Sequence, residues 1–200
     1  MPRFAFLPQR LPAGVGEAIG RTVGRTGVTP NMLSVFGFCG NLAAAYLVLR
    51  DALLPAGLVF LTFSLFDMVD GAVARATGRA TPFGAVFDAV LDRASEAAVL
   101  ASIGWYFGER GENIQAGAAF AALFGSVAVS YMRARAEVMG LEMREGLFRR
   151  QERVAVLTAG LLLNGLTVVI WLLAVLANLT ALQRFWLIAR GLRNLDAETA

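Results

Sequence analysis

The chain has 200 residues, 57% of them hydrophobic and only 16% charged, with a formal net charge of +3. A mean hydropathy of +0.61 sets it among integral membrane proteins, and the length suits one membrane domain without a separate soluble one. Histidine is absent and all 18 basic residues are arginine, which excludes Ser-His-Asp triads, imidazole metal sites and a P-loop lysine; no nucleic-acid partner is expected.

Residues 1–28 read as a juxtamembrane segment. The opening Met1-Pro2-Arg3-Phe4 is too short and proline-broken for a cleavable signal peptide. Val15, Ile19 and Val23 recur every four residues, and Glu17, Arg21 and Arg25 do the same two residues on. An apolar stripe opposite a charged one predicts an amphipathic helix over 13–25, lying in the membrane interface. Apolar stretches follow at 31–50, 53–77, 83–107 and 114–139, each able to supply the ~20 residues that cross a bilayer. The lone cysteine, Cys39, excludes an intrachain disulfide and a cysteine metal cage, and is read as a small buried side chain. No charge occurs from Val154 to Leu182, which is long for one span. Asn164-Gly165 offers a break, giving helices over about 148–163 and 167–189.

The expected fold is therefore an all-α integral membrane protein, with six transmembrane helices over 29–190 preceded by the interfacial helix and followed by a short tail at 191–200. Six spans put both termini on one face, and every arginine except Arg50 and Arg110 falls on that face. The positive-inside rule makes it cytoplasmic, in a multi-pass protein of the cell (inner) membrane. A five-span chain would send the last three arginines outside.

Asp67, Asp70, Asp88 and Asp92 lie inside two of the apolar stretches. Each ionised carboxylate there costs roughly 2.5–3.5 kcal/mol on insertion scales, so the cluster calls for a compensating ligand. Residues three or four apart share a helix face, so Asp67 projects with Asp70 and Asp88 with Asp92. Gly78-Arg79-Ala80-Thr81-Pro82 between them can reverse the chain, which predicts two carboxylate pairs facing each other across a helical hairpin at the cytoplasmic face. Four hard oxygen donors suit Mg²⁺, Mn²⁺ or Ca²⁺. Gly71 and Gly84 let a ligand approach the backbone, and Arg75 adds a guanidinium fork matched to phosphate. Together these describe a site for a metal-bound pyrophosphate.

The pattern D-x2-D-G-x2-A-R-x8-G-x3-D-x3-D, carried by Asp67, Asp70, Gly71, Ala74, Arg75, Gly84, Asp88 and Asp92, resembles the signature of the CDP-alcohol phosphotransferases. The resemblance implies transfer of a phosphatidyl-type group from CDP-diacylglycerol, or a related CDP-lipid, to an acceptor hydroxyl with release of CMP. It implies that Asp67, Asp70 and Asp88 ligate two divalent ions, Mg²⁺ or Mn²⁺, with Asp92 also near the metals as general base. Gly71, Ala74, Arg75, Thr81 and Gly84 would lie along the nucleotide and diphosphate, and Thr29-Pro30-Asn31 looks like the family's short nucleotide-holding segment. A homodimer among membrane lipids is implied as well. Asp92 lies a turn deeper than Asp88, within a chain that offers no histidine, which agrees with the role of base. A transporter with an intramembrane carboxylate site would account for the aspartates but not for the glycines, alanine and arginine at fixed offsets.

The acceptor is read from arginines. Arg133 and Arg135 end the fourth span, two residues apart, so only one easily faces a given cavity; Arg150 and Arg153 share a face at the start of the fifth. A phosphate-bearing acceptor needs such a cluster, with Arg133, Arg150 and Arg153 as its ligands. The same cluster is also what topology and anionic-lipid contact would produce. Ser130-Tyr-Met-Arg-Ala-Arg-Ala-Glu137 and Arg150-Gln-Glu-Arg153 are similar to segments of the prokaryotic phosphatidylinositol phosphate synthases and their archaeal archaetidyl counterparts, although Gln151 stands where those carry proline. The implied acceptor is the phosphorylated polyol 1D-myo-inositol 3-phosphate, with glycerol 3-phosphate as the alternative.

Overall fold

The computed structural model describes residues 22–23, 27–141, 143 and 146–199, with the backbone alone for Met68 and 194–199. The interfacial helix expected over 13–25 falls outside these residues, apart from Thr22 and Val23, which are helical. Six helices follow: α1 (Pro30–Leu49), α2 (Leu53–Ala76), α3 (Pro82–Glu109), α4 (Asn113–Val138), α5 (Arg150–Leu162) and α6 (Leu166–Thr199). Their bounds lie close to the apolar stretches, with one exception. The last helix does not stop near 189 but runs on through the expected tail to Thr199.

The ends of α1 to α5 are set by one device. The residue after each C-cap takes a left-handed conformation: Asp51 (φ 60°), Gly78 (φ 66°), Gly111 (φ 72°), Gly140 (φ 75°) and Asn164 (φ 53°). The next amide then reaches back to a carbonyl in the last turn, as in Arg79 N–H to Ala74 O at 3.0 Å and Gly165 N–H to Gly160 O at 2.8 Å. This is the Schellman arrangement, which satisfies carbonyls the helix leaves unpaired. Asn164 supplies the break in the long uncharged run, because asparagine enters the left-handed region at low cost.

The helices pack as a closed ring in the order α1, α2, α5, α6, α4, α3 and back to α1. Small residues bring the backbones close: a side chain at Gly40 would overlap the Phe63 ring, and one at Gly160 would meet Val169. Phe60, Leu100, Ile103, Leu161, Ile170 and Leu173 fill the middle of the core. The outward faces are apolar and exposed, for example at Leu58, Phe120, Phe124 and Trp171, as befits a lipid-facing surface. Cys39 lies on this exposed side and not in the core. The Ser34, Gly37, Asn41, Ala44 and Val48 stripe is what α1 turns inward, and position 39 falls outside it.

Among the described residues four helices, α1, α2, α4 and α6 up to Arg193, are long and apolar enough to cross a membrane. The other two miss the criterion for opposite reasons. Asp88, Asp92, Arg93 and Glu96 charge α3, while the 13 residues of α5 extend only about 20 Å against a hydrocarbon core of about 30 Å.

Candidate active site

The α2–α3 hairpin turns at 77–81, and one end of the ring is organised around it. Thr81 caps α3 by accepting from Gly84 N–H at 3.0 Å, and Thr29 caps α1 by accepting from Met32 N–H at 3.3 Å. Each cap is followed by a proline in the first turn, whose fixed φ suits a helix start. The two starts lie together, since a Cβ added at Gly84 would sit 3.1 Å from Thr81 Oγ1 and 3.2 Å from Asn31 Oδ1. Thr29, Pro30, Asn31, Thr81 and Gly84 thus share one corner, where two helix N-termini present free N–H groups and the positive ends of their dipoles. Such a corner accepts an anion. Arg75 stands in the last turn of α2 with its guanidinium beside Gly71, 3.2 Å from a Cβ built there, and Ala74 beside it is half-buried.

The aspartates meet across the hairpin in two levels. Asp70 and Asp88 share the Ser34 hydroxyl, which donates to Asp70 Oδ2 at 2.7 Å and lies 3.4 Å from Asp88 Oδ1. Asp70 Oδ1 also accepts from Gly71 N–H. A turn deeper, Arg150 Nη2 bridges Asp67 Oδ2 at 2.8 Å and Asp92 Oδ1 at 2.6 Å. Arg93 adds a longer contact to Asp92 at 3.9 Å. Room for this level comes from Gly37 on α1, since any side chain there would collide with the Asp67 carboxylate.

Among the described residues no three carboxylates converge on one point; they meet pairwise around Ser34 and Arg150. Four carboxylates against Arg150 and Arg93 leave an excess of negative charge at a site where Asp70 is 4% exposed. Buried charge of one sign demands a counter-charge, and the donors are all hard oxygens. Donors of this kind could hold a divalent cation, with Asp67, Asp70, Asp88 and Asp92 as its candidate ligands.

The arginines divide into different environments. Arg153 is buried and gives Glu96 a two-pronged pair, Nε to Oε1 at 2.6 Å and Nη2 to Oε2 at 3.0 Å. Glu96 is its fixed partner. Arg133 is exposed and pairs with Glu137 at 2.9 Å. Arg184, which the sequence assigns only to topology, is buried, donates to Val129 O at 2.7 Å and lies against Gly146. It stands within electrostatic reach of Arg133, Arg149, Arg153 and Glu137. Two residues of the site were beyond sequence reasoning. Ser34 is one of six serines with no motif around it, and Arg184 lies in an apolar helix far along the chain.

Known proteins carry the same architecture. The profile of the CDP-alcohol phosphatidyltransferase family matches residues 27–189. Archaetidylinositol phosphate synthase of Pyrococcus horikoshii is 34% identical over 171 residues, covering 85% of this chain and 88% of that protein. Phosphatidylinositol phosphate synthase of Mycobacterium marinum is 35% identical over 198 residues, covering 93% and 84%. Among solved structures, the Mycobacterium tuberculosis phosphatidylinositol phosphate synthase with CDP-DAG bound superposes with a TM-score of 0.80 at 33% identity, covering 88% of this chain and 94% of that one. The same enzyme in complex with manganese and citrate gives 0.78 at 34% identity, covering 86% and 88%. The transporter alternative falls with these matches. The chain is a phospholipid-synthesising transferase and belongs to the CDP-alcohol phosphatidyltransferase family.

Proposed function

We propose that the enzyme transfers the phosphatidyl group of a CDP-diacyl lipid to a hydroxyl of 1D-myo-inositol 3-phosphate, releasing CMP. The observation that carries this reading is the arginine cluster: Arg133, Arg149 and Arg153 lie within electrostatic reach of Arg184, and Arg153 ties the cluster to the aspartate-bearing helix α3 through Glu96. Like charges brought this close repel, and a phosphate monoester on the acceptor is an anion that several guanidinium forks suit. The relatives named for inositol phosphate products support the choice of polyol.

The donor's cytidine and diphosphate would lie at the Thr29-Pro30-Asn31 and Thr81–Gly84 corner, with Gly71 and Ala74 leaving space and Arg75 pairing with phosphate. Mg²⁺ or Mn²⁺, two ions per site on Asp67, Asp70, Asp88 and Asp92, would neutralise the diphosphate and the charge growing on the departing CMP oxygen. Ser34 holds Asp70 toward Asp88. Asp92 lies at the deeper level and takes the proton of the attacking hydroxyl. Arg153 can keep one guanidinium edge on Glu96 and turn the other to the acceptor phosphate.

In this reading the enzyme is a homodimer in the cell membrane. Residues 29–190 form six spans, 1–28 a juxtamembrane segment and 191–200 a tail, with both termini and the site cytoplasmic. An acceptor panel tests the function. Purified enzyme with CDP-diacylglycerol and Mg²⁺ or Mn²⁺ is expected to release CMP with 1D-myo-inositol 3-phosphate well above glycerol 3-phosphate, free inositol or serine. Preference for glycerol 3-phosphate would overturn the choice of polyol, and preference for free inositol the need for a phosphate.

A further inference from the structure

Arg150 and Arg153 leave α5 from the same face, yet their pairings differ in kind. Arg153 spends two nitrogens on both oxygens of one carboxylate, the fork-to-fork geometry that is strongest for this pair. Arg150 instead uses the single nitrogen Nη2 for both Asp67 and Asp92, and its buried Nε has no hydrogen-bond partner. A buried donor left unsatisfied weakens the arrangement. Nη2 also sits between two of the carboxylates that would hold the divalent cation. A divalent ion on the same two carboxylates would lie against the guanidinium as a like charge, and at equal distance it gains twice the Coulomb attraction to them.

We propose that Arg150 is an exchangeable counter-cation: it balances Asp67 and Asp92 while the site lacks metal, and a divalent ion displaces it. Glu96 and Arg153 keep their pair throughout. The displaced guanidinium starts one helical turn from Arg153, on its face, and is then free to meet an acceptor phosphate. Acceptor binding thereby becomes conditional on metal binding, because the pocket gains a cation only in the metal-loaded site. This deepens the proposed reading and rests on its metal assignment, but not on the identity of the acceptor.

Two measurements without substrate test the exchange. In the wild-type protein, arginine modification by phenylglyoxal, mapped by peptide mass spectrometry, is expected to spare Arg150 in chelator and to label it when Mn²⁺ saturates the site; Arg153 stays protected in both. Persistent protection of Arg150 at saturating Mn²⁺ overturns the proposal. In Arg150→Gln, Mn²⁺ alone, followed by electron paramagnetic resonance of the free ion, is expected to bind several-fold more tightly than in the wild type, since its competitor is gone. Equal or weaker binding would make Arg150 a support for the carboxylates and also overturn it. An enzyme that passes both measurements yet prefers another acceptor would refute the inositol phosphate reading and leave the exchange intact.

Discussion

Glu96 offers both oxygens to Arg153 at a buried position, where the Arg153 and Glu96 side chains are 3% and 7% exposed. Removing one partner of a buried pair strands the other charge, at a cost of about 3–5 kcal/mol, whereas replacing both by apolar groups is often neutral or stabilising. This separates two duties that single variants confuse. Arg153→Ala is expected to lower thermal stability by that amount and to lose acceptor affinity as well. Arg153→Met combined with Glu96→Leu is expected to regain most of the stability while the acceptor KM stays high and the CDP-lipid KM stays near normal. Melting curves in detergent and steady-state kinetics read the two effects separately. A double variant with normal acceptor KM would return Arg153 to a purely structural place.

At the level of helices, the hairpin between α2 and α3 depends on two glycines with different reasons to be glycine. Gly78 ends α2 at φ 66° with open space around its α-carbon. A branched residue there pays the left-handed strain of roughly 1–2 kcal/mol and meets nothing. Gly84 is helical and crowded: a Cβ added there would lie 3.1 Å and 3.2 Å from the polar ends of Thr81 and Asn31. Gly78→Val is therefore expected to lower the melting point with little change in donor KM. Gly84→Val is expected to raise donor KM by pushing apart the two capped helix starts, with a smaller loss of stability. The same effect on KM from both would mean that the turn, and not the corner, sets donor binding. Much of this level could be read in advance. The apolar runs mark where α1 to α4 lie, the threonine-proline pairs mark two helix starts, and spacing puts each aspartate pair on one face. What joins helices could not be read. Ser34 to Asp70, Arg153 to Glu96 and Arg150 to Asp67 span 36, 57 and 83 residues, and they depend on a ring order that local periodicity does not encode. The extension of α6 past residue 189 was hidden for a different reason. A helix continuing beyond the bilayer loses its apolar run while keeping its hydrogen bonds.

For the whole molecule, the ring bears on how many helices cross the bilayer. Each of the two helices that length and composition leave undecided stands between two that qualify: α3 between α1 and α4, and α5 between α2 and α6. Neither can leave the bilayer without opening the ring and exposing charged or polar groups to lipid, at several kcal/mol for each unpaired group. The charge on α3 faces inward, and the shortness of α5 is met by the Arg149–Arg150 start lying at the aspartate level. A six-span chain puts 50–52, 110–112 and 163–165 on one side, and 77–81 and the arginine-rich 139–149 on the other. With Cys39→Ser as background, Glu112→Cys and Leu163→Cys are expected to react with a membrane-impermeant maleimide in intact cells, and Arg79→Cys only after permeabilisation. Leu163 carries the decision, since it is 79% exposed and follows α5 directly. If it stays unlabelled in intact cells while position 112 reacts, α5 re-enters and does not cross. The last helix would then face the wrong side for Arg184 to join the other arginines, so the acceptor pocket and the six-span count stand or fall on the same label.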